Sequence, residues 1–167
     1  MNEAAFWSSS LRPLLVRTCR QMGLRSHFER VENMVSVGTP DVDYCIASVH
    51  GKLELKYTPK DAARSSTPVL GLGHGMRRSQ IVWAVRRMHS GGRVLLCVGT
   101  PSVTWLLRLW DRSPETMRAV EMMSRDQLNT TAVWCSSGDK PSTLVELLME
   151  PVPPYTLAVP ETQKGNE

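Results

Sequence analysis

The chain has 167 residues, and its 20 Lys and Arg against 16 Asp and Glu give a net charge of +4 at neutral pH. That length allows one domain with its own hydrophobic core. No stretch reaches the roughly 20 apolar residues that a membrane helix needs, and no signal-peptide pattern begins the chain. We therefore expect a protein without membrane association that stays in the cytoplasm.

Arginine supplies 15 of the 20 cationic side chains. Its planar guanidinium grips phosphate in two places, which favours nucleic acid as a partner. A GC-rich coding bias would enrich arginine equally well. Four cysteines and four histidines lie far apart without CxxC, HxxxH or HExxH spacing. They predict buried free thiols and no zinc site.

Residues 2–22 predict an N-terminal helix, because apolar side chains recur at three- and four-residue steps. Pro13 is tolerated only in a first helical turn, so we expect a break near Ser8–Ser10 and a restart after a serine cap. Gly23 then ends the helix.

Residues 38–57 predict a hairpin of two strands with its turn within Val49–Lys52. Alternation along a strand places Glu54 and Lys56 on one face and the neighbouring apolar residues on the other. Antiparallel pairing brings Asp41 towards Glu54 on that face. Two carboxylates then converge with one amine, an arrangement that a hard divalent cation such as Mg²⁺ or Mn²⁺ stabilises.

The polar segment 58–76 follows, with Gly71-Leu72-Gly73-His74-Gly75 near its end. No Gly-Lys-Ser/Thr or dinucleotide fingerprint accompanies these glycines, so no nucleotide cofactor is predicted. We expect a mobile loop that becomes ordered on substrate, with Lys60 and Arg64 among its cations.

Arg77 to His89 predicts an amphipathic helix whose polar face carries Arg77, Gln80 and Arg87. The apolar run Arg93 to Val98 predicts a central strand buried on both faces. Later elements are a strand or helix over Val103–Trp110, a helix over Pro114–Arg125 capped by Ser113, a short strand over Ala132–Cys135 and a helix over Pro141–Met149. Residues 1–150 then form one domain, and the polar, proline-rich tail 151–167 is partly disordered, above all from Glu161.

Pro40-Asp41, followed after a strand, a turn and a second strand by Glu54-Leu55-Lys56, resembles the PD-(D/E)xK nuclease superfamily. The order of elements over roughly residues 1–100 is similar to that of small phage-encoded members, namely VRR-NUC domains and Holliday-junction endonucleases. This resemblance implies an α/β, restriction-endonuclease-like core with a mixed central β-sheet flanked by helices.

The resemblance further implies a Mg²⁺- or Mn²⁺-dependent DNA endonuclease. Asp41, Glu54 and the carbonyl of Leu55 would hold the metal, and Lys56 would act on the attacking water. Gln80 would point at the centre. Members usually carry another acidic residue on the first helix, which matches Glu3 by position; Glu29 and Glu32 are alternatives nearer to Pro40-Asp41.

The resemblance also implies DNA as the partner, without sequence readout. The cations expected to contact its backbone are Arg30, Lys60, Arg64, Arg77 and Arg87. The shape of the DNA is not encoded in these motifs. Resolution of branched DNA generally needs a homodimer, although no heptad or exposed apolar helix identifies a dimer surface. The alternative is a non-catalytic nucleic-acid-binding protein or a phage assembly protein that reuses the nuclease fold.

Overall fold

A computed structural model describes residues 2–31 and 38–155. Six strands form one sheet and lie side by side in chain order. They are β1 (Ser26–Arg30), β2 (Val42–Ile46), β3 (Val49–Tyr57), β4 (Val94–Gly99), β5 (Thr104–Arg108) and β6 (Trp134–Cys135). β3 and β4 are parallel, and every other neighbouring pair is antiparallel.

The helices are α1 (Glu3–Phe6), α2 (Arg12–Gln21), α3 (Arg78–His89), α4 (Pro114–Ala119), α5 (Arg125–Thr131) and α6 (Pro141–Met149). A π-helical turn, Trp7–Leu11, joins α1 to α2, and a 3₁₀ turn, Val120–Met122, follows α4. The predicted α/β class, a mixed sheet flanked by helices, is confirmed. No helix in the described part of the chain is long and apolar enough to cross a bilayer.

The two faces of β3 meet different helices. Tyr57 stacks on Phe6 of α1 with ring centroids 5.1 Å apart, and Tyr44, on the same face of neighbouring β2, donates a hydrogen bond to the carbonyl of Leu148 in α6. On the opposite face, Gln80 of α3 contacts Glu54. All six residues of β4 are buried, as expected for a strand covered on both faces.

The N-terminal helix does not break at its serines, so the predicted restart after a serine cap is wrong. Within the π-helical turn the Arg12 N–H donates to the Trp7 carbonyl, five residues back. The wider turn accommodates Pro13, which has no N–H to donate and would crowd the preceding turn of a regular α-helix. Gly23 ends the helix as predicted, with φ +70°.

The hairpin turn also differs from the prediction. It consists of Ala47 and Ser48, whose φ values of 47° and 69° are those of a tight two-residue hairpin turn. His50, Gly51 and Lys52 therefore belong to β3 and pair with β2. The turn is not recognisable in the sequence, because the residues at such positions are usually Gly or Asn.

The loop expected to be mobile is anchored along its second half. The Val69 N–H donates to the Met123 carbonyl at 3.0 Å, and the Gly71 N–H donates to the Glu121 carbonyl at 2.9 Å. The Gly73 N–H donates to the Glu121 carboxylate at 3.0 Å. Ordering by substrate is therefore not required for this half of the loop.

One strand was missed, and two further predictions need correction. β1 was not predicted as a strand, and the single helix expected over Pro114–Arg125 ends early, after which Ser124 caps α5 by accepting from Gln127 N–H. Cys45 and Cys135 are half-exposed, since each lies near a sheet edge, whereas Cys19 and Cys97 are buried. All four thiols are free, as predicted. Of the predicted tail, Tyr155 packs against the domain, and residues from Glu161 onward lie outside the described residues.

At Gly99, the absence of a side chain allows the N-terminal helix to pack closely against β4. A Cβ atom there would lie 2.6 to 2.9 Å from three ring atoms of Phe6. We expect Gly99→Ala to lower the free energy of unfolding by about 1–3 kcal/mol, the usual cost of overpacking. Chemical denaturation measures this, with Gly138→Ala as the control because a Cβ atom at Gly138 meets nothing within 4 Å. If the two variants were equally stable, the packing of Phe6 would not require glycine at position 99.

Candidate active site

Pro40 and Asp41 end the pairing between β2 and β3. The register pairs Val42 with Leu53, so its continuation would place Pro40 opposite Leu55. Pro40 has no N–H to donate to the Leu55 carbonyl. The Asp41 side chain instead accepts the Leu55 N–H at 2.9 Å. Because the N–H and C=O of one strand residue point to the same side, the Leu55 carbonyl also faces the Asp41 side.

Glu54 and Lys56 lie side by side on the face of β3 opposite Leu55. The Lys56 Nζ donates to Glu54 Oε1 at 2.7 Å. Glu54 is fully buried and Lys56 is 6 % exposed. Asp41 is near enough for its charge to raise the pKa of Glu54, so the two carboxylates and the amine are neighbours. The other carboxylate oxygen, Glu54 Oε2, is buried and has no hydrogen-bond partner among the described residues.

Gln80 fixes Glu54 from the helix side. Its amide nitrogen donates a hydrogen bond to Glu54 Oε1, while its amide oxygen accepts the Arg77 N–H at 2.8 Å and so caps α3. The chain before Pro40 crosses this helix end closely, since a Cβ atom on Gly38 would lie 2.4 Å from the Ser79 carbonyl oxygen. The glycine before Pro-Asp is therefore required by packing, and Gln80 lies in the site as predicted.

Glu3 reaches the site from the other layer of helices. Its carboxylate lies 3.8 Å from Lys56 Nζ. α1 presents it there because Asn2 caps the helix, accepting the Ala5 N–H at 2.9 Å, and because Phe6 packs on Tyr57. Glu29, the alternative, is exposed on β1 beside His27. Glu32 lies outside the described residues.

Burial has the largest effect on the pKa values of Glu54 and Glu3. It raises the pKa of Glu54 to about 7, although Lys56 opposes the shift, and Asp41 and Glu3 add to it. Burial likewise raises the pKa of Glu3, which Lys56 again opposes. Catalytic and metal-binding sites often contain a carboxylate of this kind, whose ionisation is unfavourable until another cation is present.

The residues present fit a hard divalent cation. Asp41, Glu54 and the Leu55 carbonyl offer oxygen ligands, and the unpartnered Oε2 of Glu54 is an acceptor that a cation would satisfy. Within residues 2–31 and 38–155, no three His, Cys, Asp or Glu side chains form a metal-binding group by themselves. An ion here would therefore depend on the backbone carbonyl and on further ligands from solvent or substrate.

The cations expected to contact DNA are not equally close to this centre. Arg30, on β1, is near enough to lower the pKa of Glu3, and Arg77 is exposed at the start of α3. Lys60 and Arg64 are exposed in the loop after β3. Arg87 lies towards the far end of α3, where it lines a groove beside β3.

That groove contains residues not considered in the sequence analysis. It is lined by Asp43, His50, Gly51, Lys52, Trp83 and Arg87. Lys52 and His50 continue the face of Glu54 and Lys56 by the same two-residue step, a signal missed because the hairpin turn was placed over them. Trp83 follows Gln80 by three residues, which is the helical spacing for the same side of α3.

The raised pKa of Glu54 predicts how stability changes with pH. The neutral carboxyl contributes stability that is complete below about pH 4.5 and is lost as pH rises through about 7. With chelator present, we expect Glu54→Gln to become more stable than the native protein between pH 5 and 8, by on the order of 2–3 kcal/mol. Chemical denaturation across this range checks it, with Glu29→Gln as the exposed control. If the free energies of unfolding of the native protein and Glu54→Gln changed in parallel with pH, the raised pKa of Glu54 would be contradicted.

No family model matches the sequence, and no curated protein matches it. Among solved structures, the chain is similar to Archaeoglobus fulgidus Hjc, a Holliday junction resolvase from an archaeal hyperthermophile. The two share 16 % sequence identity with a TM-score of 0.41, and the match covers 80 % of this chain and 98 % of that one.

Proposed function

We propose that the chain is a divalent-metal-dependent endonuclease that hydrolyses phosphodiester bonds in DNA. The observation that carries this proposal is the buried Glu54 carboxylate. One of its oxygens is bound by Lys56 and Gln80, and the other has no hydrogen-bond partner in the part of the chain that the structure describes. Asp41 and the Leu55 carbonyl lie beside it as further oxygen ligands. The likeness of the motifs to junction endonucleases makes branched DNA the first substrate to test.

Stability alone does not account for this arrangement. Burying a carboxylate with an incompletely satisfied oxygen costs free energy, and apolar side chains of similar volume often serve a core better. A cation between Glu54 and Asp41 would offset that cost. The non-catalytic alternative gives no reason to keep the unpartnered oxygen.

Each residue has a distinct role in the proposed reaction. When bound, a divalent cation at Asp41, Glu54 and Leu55 supplies polarisation of the scissile phosphate and acidification of a water. Lys56 is placed to hydrogen-bond the attacking water, or a phosphate oxygen as negative charge accumulates on it. Gln80 keeps Glu54 in place, and Glu3 lies on the other side of Lys56.

Cleavage assays test the proposal directly. With Mg²⁺ or Mn²⁺, we expect the native protein to cut at least one of four-way junction, flap, duplex or single-stranded DNA. Lys56→Ala and Asp41→Asn should each lower the rate by about 10²-fold or more, since Lys56 acts on the attacking water or the phosphate and Asp41 would hold the metal. Lys140→Ala, at an exposed position before α6, is the control. Equal rates in the native protein and the two site variants would attribute the cutting to a contaminant.

Metal binding has its own readout. A cation that binds only the folded chain raises the Tm. At pH 8 we expect Mg²⁺ or Mn²⁺ to raise the Tm of the native protein and to have little effect on Asp41→Asn. Asp43→Asn should keep the native response, because Asp43 pairs with Lys52 at 2.6 Å and is not a proposed ligand. A similar response in native protein and Asp41→Asn would place the ion elsewhere.

A further inference from the structure

A groove of about 360 Å³ lies between α3 and β3. We call it the α3–β3 groove; its lining is Asp43, His50, Gly51, Lys52, Trp83 and Arg87. β3 contributes His50 and Lys52 to the face that also carries Glu54 and Lys56. Successive residues of that face are about 7 Å apart, so Lys52 lies one such step from Glu54 and the groove is next to the centre.

The two walls offer different chemistry. On the helix wall, Trp83 is half-buried and Arg87 is exposed, its stem lying across Gly92, where a Cβ atom would come within 2.4 Å of the Arg87 Nε. On the strand wall, Lys52 donates to Asp43 at 2.6 Å. An indole face next to two cations suits a ligand with both a flat ring and a phosphate.

The size of the groove selects among such ligands. Its volume is near the lower end of ligand pockets, roughly 300–1,000 Å³, which suits one nucleotide rather than a duplex. Gly51 lines the groove with backbone only, since a Cβ atom there would point to the opposite face, 2.2 Å from the Tyr44 hydroxyl. Since Trp83 follows Gln80 by one helical turn, a strand that passes the centre would reach the indole within one or two nucleotides.

We propose that the α3–β3 groove holds a single strand of nucleic acid leaving the candidate centre, with an unpaired base stacked on Trp83 and a phosphate at Arg87. This rests on the proposed function for the class of ligand, but not on catalysis. The consequence is a preference for DNA with an unpaired segment beside the scissile bond. Asp43 weakens the binding of the strand, because its carboxylate neutralises Lys52 and repels the phosphate.

Binding without catalysis tests the proposal. In chelator, the affinity for a short labelled oligodeoxythymidylate is measured by fluorescence anisotropy alongside the matching duplex. We expect Trp83→Ala to bind the single strand about tenfold more weakly, the usual effect of losing one stacked base, with a smaller change for the duplex. Trp83→Phe should retain most of the affinity because it keeps an aromatic face. Arg87→Ala should weaken binding, whereas Arg20→Ala, an exposed arginine on α2, should not.

Two further measurements do not depend on the folding of the Trp83 variant. Asp43→Asn should bind the single strand more tightly than the native protein, because Lys52 is released. With the native protein, 2-aminopurine in the oligonucleotide should be quenched on binding through stacking. The proposal is overturned if Trp83→Ala, shown by its melting curve to be folded, binds like the native protein, or if Asp43→Asn does not bind more tightly. Single-strand binding without any cleavage would instead overturn only the proposed nuclease function.

Discussion

The arrangement of this protein depends on one carboxylate that is buried in the middle of its sheet. Glu54 lies on β3, which is paired on both edges and covered by helices on both faces. A charge in that position needs partners at fixed places. Lys56 comes from the same strand, Gln80 from the helix that connects the two parallel strands, and Asp41 from the end of the neighbouring strand. The crossover helix thus links the sheet to the site.

The same constraint explains why the two layers of helices meet at this end of β3. α3 supplies Gln80 from one layer, and α1 supplies Glu3 from the other, near the last residues of the strand. Phe6, Tyr57 and Gly99 form the contact that brings α1 to that position. Packing between layers and electrostatics of the site are therefore coupled through a few residues at the ends of two parallel strands.

Sequence reasoning located the centre because its signals are local. The two-residue step from Glu54 to Lys56 predicted their common face, and the resemblance to nucleases selected Gln80 from the polar face of the predicted helix. It missed β1, since Ser26–Arg30 has one buried residue out of five. It misplaced the hairpin turn because Ala47 and Ser48 are not residue types that indicate a left-handed backbone. The groove beside Trp83 was beyond reach, because it requires knowing that α3 lies against His50 and Lys52. Which strand neighbours which helix is a tertiary property.

The position of Glu3 bears on how the protein is handled. It is the first residue of α1, and its carboxylate is 3.8 Å from Lys56, so a purification tag joined ahead of Asn2 would emerge beside the centre and disturb the cap of that helix. At the other end of the described chain, the Tyr155 ring meets His89 with centroids 5.0 Å apart. His89 ends α3, some 14 Å along the helix from Gln80. A C-terminal tag is therefore the better choice for measuring the native behaviour of the site.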